Sequence, residues 1–130
     1  MLNEFRKHYT SITKREMEFL NYSLQTKKFV MTNYCGVRVN ERRINTTLID
    51  DTIKFGEIIE MHYKDGDIRL LLRKQFGVYS MCVVVSLCKD NIITVYKNSS
   101  SDNHRTLDTQ AYDTNVDILA LVKQTALRAS

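Results

Sequence analysis

The chain lacks the features that mark several common classes of protein. It has no apolar run near the roughly 20 residues that a membrane-spanning helix needs. Near its N-terminus it carries an acid, Glu4, where a secretion signal would have an apolar region. Its four glycines are isolated, so no glycine-rich phosphate loop is expected. Proline is absent, which by itself excludes neither a fold nor an activity. We therefore expect a soluble protein with no membrane partner.

Cysteine and histidine are also scarce, with three residues of each. Cys82 and Cys88 are six positions apart on one predicted strand, which separates them by about 20 Å, too far for a disulfide. The histidines are scattered, and none has metal-ligand spacing to a cysteine or to another histidine. We therefore expect free thiols in a reducing cytoplasm, no metal site and no cofactor.

The overall composition fits one globular domain with a real core. Of 130 residues, 43% are hydrophobic and 26% are charged. The net charge of +4 permits a polyanionic partner, although a mildly basic surface is the commoner explanation.

The stretch 78–97 holds two arms rich in β-branched residues around a short polar turn, a pattern that predicts an antiparallel hairpin. The first arm is apolar on both faces and is expected to be a central strand. In the second arm, alternation predicts that Ile93 and Val95 face the core. Thr94 and Tyr96 would then point together to the other face.

The rest of the chain supplies two further strands and several helices. Residues 57–63 and 68–75 predict strands around an Asp-Gly turn. The pattern over 2–31 predicts a short helix and then a longer one. A capped helix is expected over 45–56, and a final helix is expected over 113–129. The predicted fold is α+β: N-terminal helices packed on a four-stranded antiparallel meander sheet, followed by a loop and a C-terminal helix, in a single domain.

A set of basic and hydroxyl side chains could carry phosphate chemistry. Arg38 and Arg42 are four residues apart, so on a helix they share one face, and Tyr34 extends that row by one turn. Arginine and lysine stabilise a pentacoordinate phosphate, while tyrosine and threonine can position protons. The additional candidates are Arg43, Arg69, Arg73, Tyr79, Thr94, Tyr96 and Lys97. Taken singly, each also fits a solvated helix face or cross-strand packing.

The order of these pieces over 33–97 resembles an uncharacterised small-domain family of the barnase–EndoU–colicin–RelE superfamily, whose members are metal-independent ribonuclease toxins. The matching residues are Arg38, Glu41, Arg42 and Ile44 in the first motif, and Thr94, Val95 and Tyr96 in the last. The histidine of the family pattern falls on Tyr34, and tyrosine is a poor base at neutral pH. The protein would then use Tyr34 itself as the base, recruit His62 or His104, or lack the activity.

The resemblance implies a RelE-like core at 33–97, with N-terminal helices over 1–32 and the remaining elements over 98–130. It implies RNA cleavage in which Arg38 and Arg42 hold the phosphate, while Thr94 and Tyr96 position the substrate or move protons. The side chains that would widen the anionic groove are Arg43, Arg69, Arg73 and Lys97. An acidic antitoxin or immunity protein would then cover the groove.

The alternative is a non-catalytic phage or mobile-element protein that binds nucleic acid or another protein on the same scaffold. Tyrosine at the histidine position favours this alternative, and the terminal helices could build a homodimer or partner face. The two functions make different structural predictions. Cleavage requires the two arginines, Thr94 and Tyr96 to converge in one cleft, whereas binding does not.

Overall fold

The structure is a computed structural model that describes residues 4–99. These residues form a six-stranded mixed sheet and three α-helices. The strands are β1 (Glu4–His8), β2 (Val30–Met31), β3 (Glu57–Lys64), β4 (Asp67–Phe76), β5 (Tyr79–Ser86) and β6 (Asn91–Ser99). The helices are α1 (Lys14–Thr26), α2 (Asn33–Glu41) and α3 (Thr46–Phe55). The predicted C-terminal helix over 113–129 lies outside the described residues.

The sheet corrects the predicted fold class, because the four-stranded meander is wrong. The strand order is β1-β3-β4-β5-β6-β2, so the four predicted strands lie between two that were not predicted. At one edge β1 pairs antiparallel with β3, and at the other edge β2 pairs parallel with β6. The parallel pair makes the sheet mixed.

Strand β1 replaces the first predicted helix. Phe5 and Tyr9 have helical spacing, but Phe5 and Lys7 alternate with exposed or half-buried neighbours, which is the period of a strand. Lys7 therefore occupies a core position, with 3% of its surface exposed. It lies there because its Nζ donates to Glu16 Oε1 of α1 at 3.2 Å.

Each of the three helices begins after a residue whose side chain caps its first turn. Thr13 and Glu16 form the predicted capping box of α1: each side chain accepts a hydrogen bond from the other residue's backbone N–H. Thr32 caps α2 by accepting a hydrogen bond from the Cys35 backbone N–H. Asn45 caps α3, and Gly56 ends that helix as predicted.

One face of the sheet packs against the helices to form the core. Buried residues of α1, α2 and α3 belong to one cluster with the inward residues of β1 and β3 to β6. The largest fully buried side chains in the described region include Leu20, Ile49, Met61, Leu70, Leu72, Met81 and Val83. No helix among residues 4–99 is both long enough and apolar enough to cross a membrane.

The hairpin of β5 and β6 contains an irregularity that changes which residues face the core. The pairing shifts between Val84–Thr94 and Val85–Ile92, which leaves Ile93 as the extra residue of a bulge. Ile92 is buried and Ile93 is half-buried, so the prediction that Ile93 points inward is wrong. Beyond the bulge Val95 is buried, as expected.

Candidate nucleic-acid interface

Helix α2 presents a basic face to solvent because its two buried residues lie on one side of the helix. Cys35 and Val39 are four residues apart and are both buried in the core. The helix ends in a Schellman motif, in which the Ile44 N–H donates to the Val39 carbonyl at 3.0 Å and the Arg43 N–H donates to the Asn40 carbonyl at 3.2 Å.

The outer side of α2 and its C-terminal turn form what we call the arginine surface, made of Tyr34, Arg38, Arg42 and Arg43. The Arg38 guanidinium lies 5.8 Å from the centroid of the Tyr34 ring, a cation–π contact. Tyr34 is 69% exposed, and Arg42 and Arg43 are exposed. Among residues 4–99, none of the three arginines forms an ion pair.

Arg43 adopts backbone angles that few residues with a side chain adopt. Its φ is 52°, in the left-handed region that glycine usually occupies at this position of a helix end. The two arginines after the helix also lie at its negative dipole end, where positive charge is favourable. The dipole therefore helps to hold uncompensated guanidinium groups at the surface.

Thr94 and Tyr96 do not join the arginine surface. Val95 faces the helices, so its two neighbours on the strand point to the opposite face of the sheet. They pair across the strands with Val84 and Cys82 on that face. The structure thus places the predicted proton-handling residues and the predicted phosphate-holding arginines on opposite sides of the sheet.

Arg69 and Arg73 also lie on the face away from the helices, and both make contacts within the protein. Arg69 Nε donates to Asp67 Oδ2 at 3.3 Å, and Asp67 also accepts a hydrogen bond from Ser86 Oγ at 2.7 Å. Arg73 Nη2 donates to the Ser99 carbonyl at 3.1 Å. These predicted groove residues therefore have structural partners already.

The same face carries a histidine–glutamate pair that the sequence did not reveal as a pair. His62 Nε2 and Glu4 Oε1 are 2.8 Å apart, across strands β3 and β1. The hydrogen bond from His62 holds the pKa of the Glu4 carboxyl below its usual range. Beside it, Arg6 Nη1 donates to Glu60 Oε1 at 2.7 Å. The sequence contains no signal that links Glu4 to His62. Their contact follows only from the pairing of β1 with β3.

Lys97 lies on the helix side of the sheet, near the end of β6. Its Nζ is 4.9 Å from the centroid of the Tyr79 ring. On the same side of the sheet, Lys74 Nζ lies 5.2 Å from the Phe76 ring and 5.6 Å from the Phe55 ring. Lys74 is not among the predicted site residues, although strand alternation places it and Phe76 on one side of β4.

Cys35 and Cys88 offer no activated thiol. Cys35 is buried in α2, and burial raises the pKa of its thiol. Burial is also the main cause that raises the pKa of the Cys88 thiol. A thiol with a raised pKa is a poor nucleophile at neutral pH. Within residues 4–99 no group of histidine, cysteine and acidic side chains has the geometry of a metal site.

Comparison with protein families shows which family the chain belongs to. Residues 31–97, just over half of the 130 residues, match the domain of unknown function DUF4258. The chain therefore belongs to this family, whose matched region begins in β2 and ends in β6 and so contains α2, α3 and the three whole strands β3, β4 and β5. No curated protein and no solved structure gives a significant match. The family description assigns no activity.

Proposed function

We propose that this chain is a non-catalytic RNA-binding domain, and that the arginine surface of α2 is its contact with the RNA backbone. One observation carries this proposal. Three arginines lie on or next to one short helix without an ion pair in the described region, although the protein pairs Arg6 and Arg69 with acids elsewhere.

The chemistry of the arginine surface fits a single-stranded phosphate chain. A guanidinium donates in a planar fork that matches two phosphate oxygens. Tyr34, which is 69% exposed beside Arg38, offers a ring on which a base can stack. The net charge of +4 favours encounter with a polyanion.

Binding is favoured over cleavage because the surface lacks a suitable proton acceptor. Tyrosine takes the position of the family histidine, and a tyrosine hydroxyl is largely protonated at neutral pH. Thr94 and Tyr96 face the other side of the sheet. The resemblance to ribonuclease toxins therefore supports a shared phosphate-binding helix more strongly than a shared reaction.

The test is fluorescence anisotropy with a labelled single-stranded RNA in EDTA, repeated over a range of salt concentrations. Each phosphate contact contributes roughly 0.7 to the slope of log affinity against log salt for single strands. Arg38→Ala and Arg42→Ala should each weaken binding and lower the slope by about this amount. Arg15→Ala removes an exposed arginine of α1 and is the matched control. Equal losses in all three variants would contradict a localised surface.

The same samples distinguish binding from cleavage. Intact RNA after long incubation with the wild-type protein supports the binding proposal. Metal-independent cleavage that falls at least ~100-fold in Arg42→Ala would overturn it, in favour of the activity that the resemblance implies.

A further inference from the structure

A second basic site lies at the junction of α3 and β3. The last pairing between β3 and β4 joins Glu57 to Arg73, whereas β4 continues to Phe76. Within the described residues the extension pairs with β5 alone, which leaves a pocket of about 200 Å³ beside it. The pocket is lined by Phe55, Gly56, Glu57, Arg73, Lys74, Gln75 and Ser80.

The backbone that forms one wall of this pocket is fixed by close packing. A Cβ on Gly56 would overlap the Thr52 carbonyl oxygen and would lie 3.0 Å from the Arg73 carbonyl oxygen. Glycine thus allows the end of α3 to approach β4 closely. The close approach sets Phe55, the last residue of α3, beside Lys74.

Lys74 and its aromatic neighbours give the pocket an unusual combination of chemistry. The Lys74 ammonium lies 5.6 Å from the Phe55 ring and 5.2 Å from the Phe76 ring, between two aromatic side chains of different elements. Phe55 is 68% exposed, a large apolar surface left at the mouth of a polar pocket. Arg73 also lines the pocket, and its Nη2 donates to the Ser99 carbonyl.

We propose that this pocket binds one nucleotide unit, an aromatic base joined to a phosphate. The base would stack on the exposed Phe55 ring, and the phosphate would contact Lys74. Gln75, Ser80 and Glu57 supply donors and acceptors for the edge of the base and for the sugar. This proposal is independent of the arginine surface, which it does not use.

The first experiment titrates the full chain with AMP, adenosine and inorganic phosphate, followed by NMR. Since recognition uses both ring and phosphate, AMP should bind at least about tenfold more tightly than either fragment. Phe55→Ala should weaken AMP binding by about tenfold or more, as expected for loss of base stacking. Tyr22→Ala removes an aromatic residue of the same 68% exposure from α1 and should have no effect.

The remaining outcomes are equally decisive. Phosphate that binds as tightly as AMP, unchanged by Phe55→Ala, would show a plain anion site and overturn the proposal. So would the absence of any shift at Phe55 or Lys74 with millimolar AMP. Lys74→Gln, which keeps most of the side-chain length, should weaken AMP and phosphate binding alike and leave adenosine binding unchanged.

Two sources carry this chemistry, a free mononucleotide and the end of an RNA strand. They are distinguished with 5′-phosphorylated and 5′-hydroxyl single-stranded RNA, measured on an Arg38→Ala, Arg42→Ala double variant. A strand-end site predicts tighter binding of the phosphorylated RNA, which is lost in Phe55→Ala. AMP binding without that preference assigns the pocket to free nucleotides. Because the double variant lacks the main arginine-surface contacts, failure of one proposal leaves the other intact.

Discussion

The β1 edge of the sheet and the outer face of helix α2 differ in how their positive charges are paired. At the β1 edge, Arg6 pairs with Glu60, Lys7 pairs with Glu16, and His62 is hydrogen-bonded to Glu4. At the β2 edge, α2 carries three arginines that form no ion pair with any described residue.

The difference indicates which charges serve the fold and which are available to a ligand. A buried cation must be paired, since an uncompensated buried charge costs several kcal/mol, on the order of 3–5 kcal/mol when one partner is removed. An exposed guanidinium carries no such requirement and contributes little to stability. Substitutions at the β1 edge should therefore lower stability, and substitutions on the arginine surface should lower affinity for RNA.

The largest effect is expected at the buried pair of Lys7 and Glu16. Glu16→Ala leaves the Lys7 ammonium buried and also removes the capping box of α1. We expect the free energy of unfolding to fall by about 3 kcal/mol, measured by urea denaturation. Glu18→Ala, at an exposed site of the same helix, should change it by less than about 0.5 kcal/mol. Equal effects of the two variants would show that the pair has no structural role.

A smaller loss of stability is expected at Asp67, which connects the start of β4 to the end of β5. Asp67 is buried and accepts hydrogen bonds from Ser86 Oγ and Arg69 Nε. Asp67→Asn keeps the shape but removes the charge, and should cost about 2 kcal/mol of unfolding free energy. Asp65→Asn changes an exposed carboxylate two residues away and is the control. RNA affinity should stay the same in both variants, and a loss in Asp67→Asn alone would place the RNA on the sheet face.

The ion pair of Lys7 and Glu16 explains why the sequence did not predict β1. Lys7 occupies a core position, so the strand shows no apolar alternation until Glu16 is known to face it. Strand β2 has two residues and is defined by its parallel pairing with Asn91 and Ile92, so no periodicity could reveal it. Strands β3 to β6 were predictable because each carries its own local pattern of β-branched residues and turns.

For the candidate site, local spacing was informative and long-range placement was not. The four-residue spacing of Tyr34, Arg38 and Arg42 predicts their common helix face, and α2 with its C-terminal turn carries all three. Alternation likewise predicts that Thr94 and Tyr96 share a face of β6. Which face of the sheet α2 covers depends on the burial of Cys35 and Val39 against the whole core. That information is not contained in either segment alone.

Arg43 offers a substitution in which stability and binding should move in opposite directions. Its φ of 52° is strained for a residue with a side chain, so Arg43→Gly should raise the unfolding free energy by about 0.5 kcal/mol after the entropy cost of glycine. RNA binding should weaken, because one guanidinium is lost. Asp65→Gly relieves the same φ of 52° in the turn between β3 and β4. That control should match the stability change and leave RNA affinity intact.

The smallest effect is expected at Glu4 and His62, a pair in which Glu4 is exposed and His62 is half-buried. The hydrogen bond from His62 lowers the pKa of Glu4 from the usual 4.5. A carboxyl whose folded pKa is lowered stabilises the protein above its unfolded pKa, and that contribution is lost as the pH falls through the folded value. His62→Ala should move the pKa of Glu4 back up, as measured by NMR titration of its side-chain carbon. Lys64→Ala, which removes a weaker charge contribution, should move it less. If the two variants shift the pKa of Glu4 equally, general positive charge rather than the hydrogen bond sets that pKa. The contacts of Glu4 at the β1 edge would then be no more specific than those of the arginines on α2.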